Sequence, residues 1–163
     1  MKLMNKASMV LGLCLTLLFV GSTVSGQTAG VSDLEFLNSE EAAGRDLPFS
    51  EAVRAGNLLF LSGQVGTRPG TAELVEGGIQ AETRQTMENI SSVLERNGSS
   101  LDRVVKCTVM LADMAEWPAM NEVYRTYFKG RYPARSALGA SGLALGARVE
   151  IECIALDGAA GAD

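Results

Sequence analysis

The chain has 163 residues, 14 basic and 19 acidic side chains, a net charge of −5 and no histidine. An acidic balance argues against a nucleic-acid surface, which carries a basic footprint. The missing imidazole excludes Ser-His-Asp and Cys-His catalysis and the commonest metal ligand, leaving carboxylates, arginine, backbone groups and water. The first residues, MKLMNKAS, hold Lys2 and Lys6 and no acid, and an apolar run follows from Met9 to Val20. Small residues then lead to Gly26. This is the layout of a secretory signal peptide over residues 1–26, and its apolar run is shorter than the ~20 residues a membrane span needs. Leu13 stands before Cys14 where lipidation would need a small residue. The expectation is export to a periplasm or the medium, with no membrane attachment after cleavage. Without the two leader lysines, 12 basic residues face 19 acidic ones, a net −7.

Residues 27–46 read as a flexible leader whose one apolar patch, Leu34 to Leu37, can add a short strand. A single domain is expected over 47–157, and DGAAGAD ends the chain in a loose tail from 158. SEAVRAGNLLFLSGQ (50–64) predicts a β-hairpin turning at Gly56-Asn57. Residues 65–78 are rich in Gly and Thr and read as a loop. Ile79, Thr83, Met87, Ile90 and Leu94 form one helical stripe that stops at Asn97-Gly98. LDRVVKCTVMLAD (101–113) predicts a strand with Val105, Cys107, Val109 and Leu111 facing one way. A second helix starts near Glu116 or Trp117, with Pro118 in its first turn. Trp117, Met120, Asn121, Tyr124, Tyr127 and Phe128 share its face. A short strand after Arg135, a Gly-rich turn and a strong strand over 147–156 complete the order β-β-α-β-α-β-β. That order predicts an α+β fold, one mixed sheet with two helices on one face. The last strand is apolar on both faces, and little chain remains to cover the second, so an oligomer is expected. Cys107 and Cys153 could be oxidised in an exported chain, but two cysteines make no disulfide framework and they read best as buried free thiols.

Arg135 lies between Pro133-Ala134 and Ser136, at the start of an apolar stretch. Such an arginine is either a salt-bridged structural residue or a clamp for an anionic ligand. Glu150 and Glu152 share one face of the last strand, so alternation alone does not choose between them. Asn121, on the apolar stripe of its helix, reads as a buried structural amide or a ligand contact. Ser62 and Ser136 have no base near them in the chain, and Gly77-Gly78 follows Glu76 without a P-loop lysine, so neither nucleophile nor phosphate cradle is expected.

The segments SEAVRAGNLLFLSGQVG, TRQTMENISSVLERNGSSLDRVVKCTVMLADM, NEVYRTYF, YPARSALG and VEIECIA resemble the RidA family of reactive enamine/imine deaminases, also called YjgF-type proteins or endoribonuclease L-PSP. The resemblance runs from about Pro48 to Leu156. It implies a chorismate-mutase-like fold and a homotrimer with clefts between subunits. It implies hydrolytic deamination of short 2-imino acids such as 2-iminobutanoate and 2-iminopropanoate, without metal or cofactor. It assigns Arg135 to the substrate carboxylate, Glu150 to the attacking water, and backbone groups at Gly63 and Ala137 to substrate orientation, with Asn121 near the cleft. Two positions depart from the family. Phe49 stands where active members often carry tyrosine, and Ala137 where they often carry Cys or Val. With the export signal, Phe49 motivates an alternative: a trimer that binds small carboxylates without turnover. RNA cleavage, the older label, fits poorly with the acidic charge and absent histidine.

Overall fold

The computed structural model describes residues 34–158. The expected signal peptide over 1–26, residues 27–33 of the leader and the tail beyond Gly158 lie outside the described residues. One sheet of seven strands organises the molecule. It is built from β1 (Leu34–Leu37), β2 (Ala52–Ala55), β3 (Leu58–Leu61), β4 (Gln64–Val65), β5 (Val104–Leu111), β6 (Ala134–Gly139) and β7 (Val149–Leu156). The strand order is β1-β2-β3-β7-β5-β6, with β4 also pairing β7. Only β5 and β6 run parallel; every other pair is antiparallel. The helices are α1 (Glu40–Ala43), α2 (Gly78–Arg96) and α3 (Trp117–Tyr124). The leader therefore carries both the short strand its apolar patch suggested and a turn of helix that its polar composition did not. Ser39 caps that turn by accepting from the Ala42 amide.

The hairpin turns as expected: Ala55 pairs with Leu58 across a two-residue loop, and Gly56 takes φ 58°. A side chain resists that left-handed conformation, which is why glycine suits the first turn position. The expected stripe of α2 is buried, and Glu82, Thr86 and Val93 join it. Met120, Tyr124 and Phe128 are buried, whereas Trp117 is 41% exposed. The helices pack their stripes on one sheet face with Leu59, Leu61, Cys107, Val109, Leu111, Val149, Ile151, Cys153 and Ala155 in one cluster. The opposite face presents Phe60 and Leu138, each more than two-fifths exposed, beside Lys106 and Glu152, and nothing among the described residues covers it.

Two sequence expectations are corrected. Val105 does not face Cys107: a register shift between Val104 and Lys106 places an extra residue in β5, so Val104 is buried and Val105 is 40% exposed. A bulge reverses alternation locally, which residue pattern alone does not signal. The cysteines are not free thiols. Cys107 and Cys153 stand directly opposite on β5 and β7, with Cα atoms 4.1 Å apart and sulfurs bonded. Closing a loop of this length contributes about 4 kcal/mol in the chain-entropy account.

The segment after β3 is also more ordered than a loop. Thr67 bridges Leu74, and the Asn89 side-chain amide on α2 donates to the Val65 and Thr67 carbonyls at 3.0 Å each. This ties β4 to the helix layer and fixes the chain that passes Glu150.

Candidate active site

Arg135 is the second residue of β6, an edge strand, and pairs in register with Cys107. Paired residues on neighbouring strands share a face, so Arg135 points to the helix side. There its guanidinium lies over the Tyr124 ring, with Cζ 4.8 Å from the ring centroid, and Nη1 donates to Asn121 Oδ1 at 2.6 Å. Asn121 and Tyr124 are three residues apart on α3 and therefore neighbours on one helix face. The ring attracts the cation and holds the guanidinium plane, while the amide fixes its rotation. Arg135 makes no ion pair among the described residues, so the salt-bridge reading finds no partner within the chain. The rest of its five-donor fork is open to a carboxylate.

Tyr124 is 4% exposed, and its hydroxyl is buried without a partner. Burial pushes its pKa up to about 12 despite the opposing charge of Arg135, so it stays neutral. Around these groups opens a cavity of about 560 Å³ lined by Asn121, Tyr124, Arg125, Tyr132, Pro133 and Arg135. Phe128 packs on Tyr124 at 5.0 Å and on Tyr132 at 6.3 Å, giving the cleft an aromatic floor. Ala137 lies on the same face of β6 as Arg135, partly buried against the core.

Glu150 belongs to a second cluster. It pairs with Val65 and Met110, so it points to the face opposite Arg135. Its carboxylate sits against Gly63, where any Cβ would overlap it. Burial, and then the charge of Glu152, holds the Glu150 carboxyl above its ordinary pKa. Glu152 is exposed. The geometry thus separates two glutamates that alternation left equivalent. Ser62, next to Gly63, donates its amide to the Glu51 carbonyl at 3.0 Å and its hydroxyl to the Ser50 carbonyl at 2.7 Å. Phe49, 55% exposed, directly precedes the Ser50–Glu51 backbone that Ser62 bonds. The same bond occupies the Ser62 hydroxyl.

The expected site residues fall into two groups: Arg135, Asn121 and Ala137 on one face, Glu150, Gly63 and Phe49 about the other. Two strand spacings and three residues of rise put the Arg135 and Glu150 Cα atoms roughly 14 Å apart, with side chains directed oppositely. A short imino acid does not span that gap within one chain. Sequence reading placed Tyr124 on the shared face of the second helix, where it is buried, and overlooked Arg125 and Tyr132. The available signal was the spacing of Asn121, Tyr124 and Arg125, three and four residues apart on one helix face.

Residues 40–157 match the family described as Endoribonuclease L-PSP. The chain belongs to this family, whose members include the RidA proteins. It is 44% identical over 111 residues to the 2-iminobutanoate/2-iminopropanoate deaminase of Mus musculus, covering 68% of this chain and 82% of the mouse protein. It is 38% identical over 122 residues to the Homo sapiens deaminase of the same name, covering 75% and 89%. The crystal structure of RidA from the Antarctic bacterium Psychrobacter sp. PAMC 21119 superposes with a TM-score of 0.69 at 38% identity, over 75% of this chain and 98% of that one. The RidA fold expected from the sequence is thus the one observed.

Proposed function

We propose that the protein hydrolyses short 2-imino acids to 2-keto acids and ammonia. The observation that carries this reading is the half-buried Arg135 fork, held by Asn121 and Tyr124 yet without a carboxylate partner, at the wall of an open cavity. The names of the mouse and human relatives support it. Arg135 binds the substrate carboxylate bidentately. Backbone groups at Gly63 and Ala137 orient the ligand. Glu150 takes a proton from water as the oxygen bonds to the imine carbon and the C=N electron pair moves to nitrogen, and Glu150 then passes that proton to the nitrogen. The resulting carbinolamine returns its hydroxyl proton through Glu150 to nitrogen, ammonia leaves, and C=O forms. A carboxylate with a raised pKa is the better base for this exchange. The substrate is already electrophilic, so orientation and electrostatics supply most of the acceleration and no metal or organic cofactor is required.

Because Arg135 and Glu150 point to opposite faces, the complete site in this reading forms between copies of the chain. The homotrimer with intersubunit clefts fits two features: the uncovered apolar sheet face at Phe60 and Leu138, and the free edge of β6. Export by the N-terminal signal fits the Cys107–Cys153 disulfide, which an oxidising compartment maintains.

The test uses residues 27–163, with imines generated by an amino-acid oxidase and semicarbazide competing for them. A fall in semicarbazone that disappears in Arg135→Ala supports the reading. Retained hydrolysis in that variant sinks it. A binding module without turnover is favoured by one observation, the phenylalanine at position 49, just before the Ser50–Glu51 backbone that Ser62 bonds, which offers no hydroxyl to orient water. Calorimetric binding of 2-oxobutanoate without imine hydrolysis would identify that case.

A further inference from the structure

The cavity beside Arg135 is lined by a second guanidinium. Arg125 stands one helical turn after Asn121, the residue that holds Arg135, and both arginines face the same space of about 560 Å³. Arg125 is exposed and makes no ion pair or side-chain hydrogen bond among the described residues, whereas Arg45, Arg54, Arg68, Arg96 and Arg148 all pair with carboxylates. The charge around it is lopsided. From 125 to 135 the chain carries Arg125, Lys129, Arg131 and Arg135 and no acid, although the whole protein has a net charge of −5. A local positive field on an acidic molecule concentrates anions at that place. One carboxylate satisfies Arg135, and the volume leaves room for a longer ligand whose far end meets Arg125. Tyr132 and Pro133 line the space with apolar surface, which suits a short methylene chain between two charges.

Resting on the function proposed above, we propose that this cavity selects doubly charged substrates, 2-imino dicarboxylates of four or five carbons, with Arg125 as the specificity-determining residue for the second carboxylate. The reaction is unchanged: water adds across C=N, ammonia leaves, and a 2-keto dicarboxylate is released. The class of reaction that supplies such a substrate is the two-electron oxidation of an acidic amino acid at its α-carbon. A helix C-terminus also favours a cation, so a plain end-of-helix role for Arg125 is the competing explanation, and the experiment separates the two.

The imines of aspartate and of 2-aminobutyrate are generated by amino-acid oxidases with oxygen as oxidant, and hydrolysis is followed by loss of semicarbazone. The quantity read is the ratio of kcat/KM for the dicarboxylate to that for the monocarboxylate imine. The proposal expects this ratio to exceed one in the native protein. It expects the ratio to fall about 10- to 100-fold in Arg125→Ala, the range of a lost hydrogen bond to a charged group. Arg125→Lys recovers part of it. An unaltered ratio overturns the proposal, whatever happens to the thermal midpoint, because an end-of-helix role alters stability and leaves selectivity alone. If neither imine is hydrolysed, the functional reading fails by itself. The second cation is then judged by calorimetry with 2-oxoglutarate and 2-oxobutanoate. Tighter binding of the dicarboxylate that is lost in Arg125→Ala sustains the proposal, and equal affinities overturn it.

Discussion

The two halves of the site are made differently. Arg135 sits on an edge strand and is held by side chains of a single helix, through a ring and an amide. Glu150 sits on a central strand, and its carboxylate occupies the space that the missing Cβ of Gly63 leaves. The first half is a guanidinium already oriented within one chain. The second is a carboxyl held above its ordinary pKa by burial and set against the Gly63 backbone. The difference teaches that one sheet holds the arginine and the glutamate on opposite faces, and the proposed function then needs a second copy of the chain to bring them together.

The largest expected effect comes from the second half. Glu150→Gln keeps the shape and removes the base, so kcat should fall by about 100- to 10,000-fold with little change in KM. Steady-state kinetics reads this directly. Arg135→Ala should break the comparison the other way, raising KM by roughly 100-fold through loss of a charge-assisted pair. Gly63→Ala forces the Glu150 carboxylate aside and should lower kcat by about tenfold, a single step on the free-energy scale of rates. Its binding of 2-oxobutanoate to the Arg135 side, read by calorimetry, should hold.

The smallest effect concerns pH. Activity needs ionised Glu150, so the acid limb of the rate profile should lie above the ordinary glutamate value. Glu152→Gln removes a like charge and should move that limb to lower pH. The stability consequence has the same origin. The folded carboxyl binds its proton more tightly than the unfolded one, so this group favours folding below the ordinary glutamate pKa. That contribution is lost as pH rises through the folded value. Urea midpoints of the native protein and Glu150→Gln across that window check the sign.

Much of the scaffold was legible from local pattern. The stripe of α2, the turn at Gly56-Asn57 and the alternation of β7 are each decided by residues close in the chain, and each is found where expected. What escaped depends on partners far away. The bulge at Val104–Lys106 exists only against β7, and the Cys107–Cys153 bond joins positions 46 residues apart. The face of Arg135 is set by the parallel register of β6 on β5, which no periodicity in YPARSALG reveals. The resemblance to RidA proteins named Arg135 and Glu150 together, but not that one chain keeps them apart. Arg125 went unnoticed because a lone basic residue on a helix reads as surface, and only the cavity shows what it faces.

The central claim is that Arg135 of one copy works with Glu150 of another. The direct test mixes Arg135→Ala and Glu150→Gln proteins, unfolds them together, lets them reassemble and assays them far below the raised KM of the arginine variant, where each alone turns over at about a hundredth of the native rate or less. Random association in a cyclic homo-oligomer gives about one quarter of clefts both an intact arginine and an intact glutamate. Recovery of imine hydrolysis toward that fraction is the predicted result. Mixed oligomers that form, as shown by mass spectrometry, yet stay inactive would contradict the account.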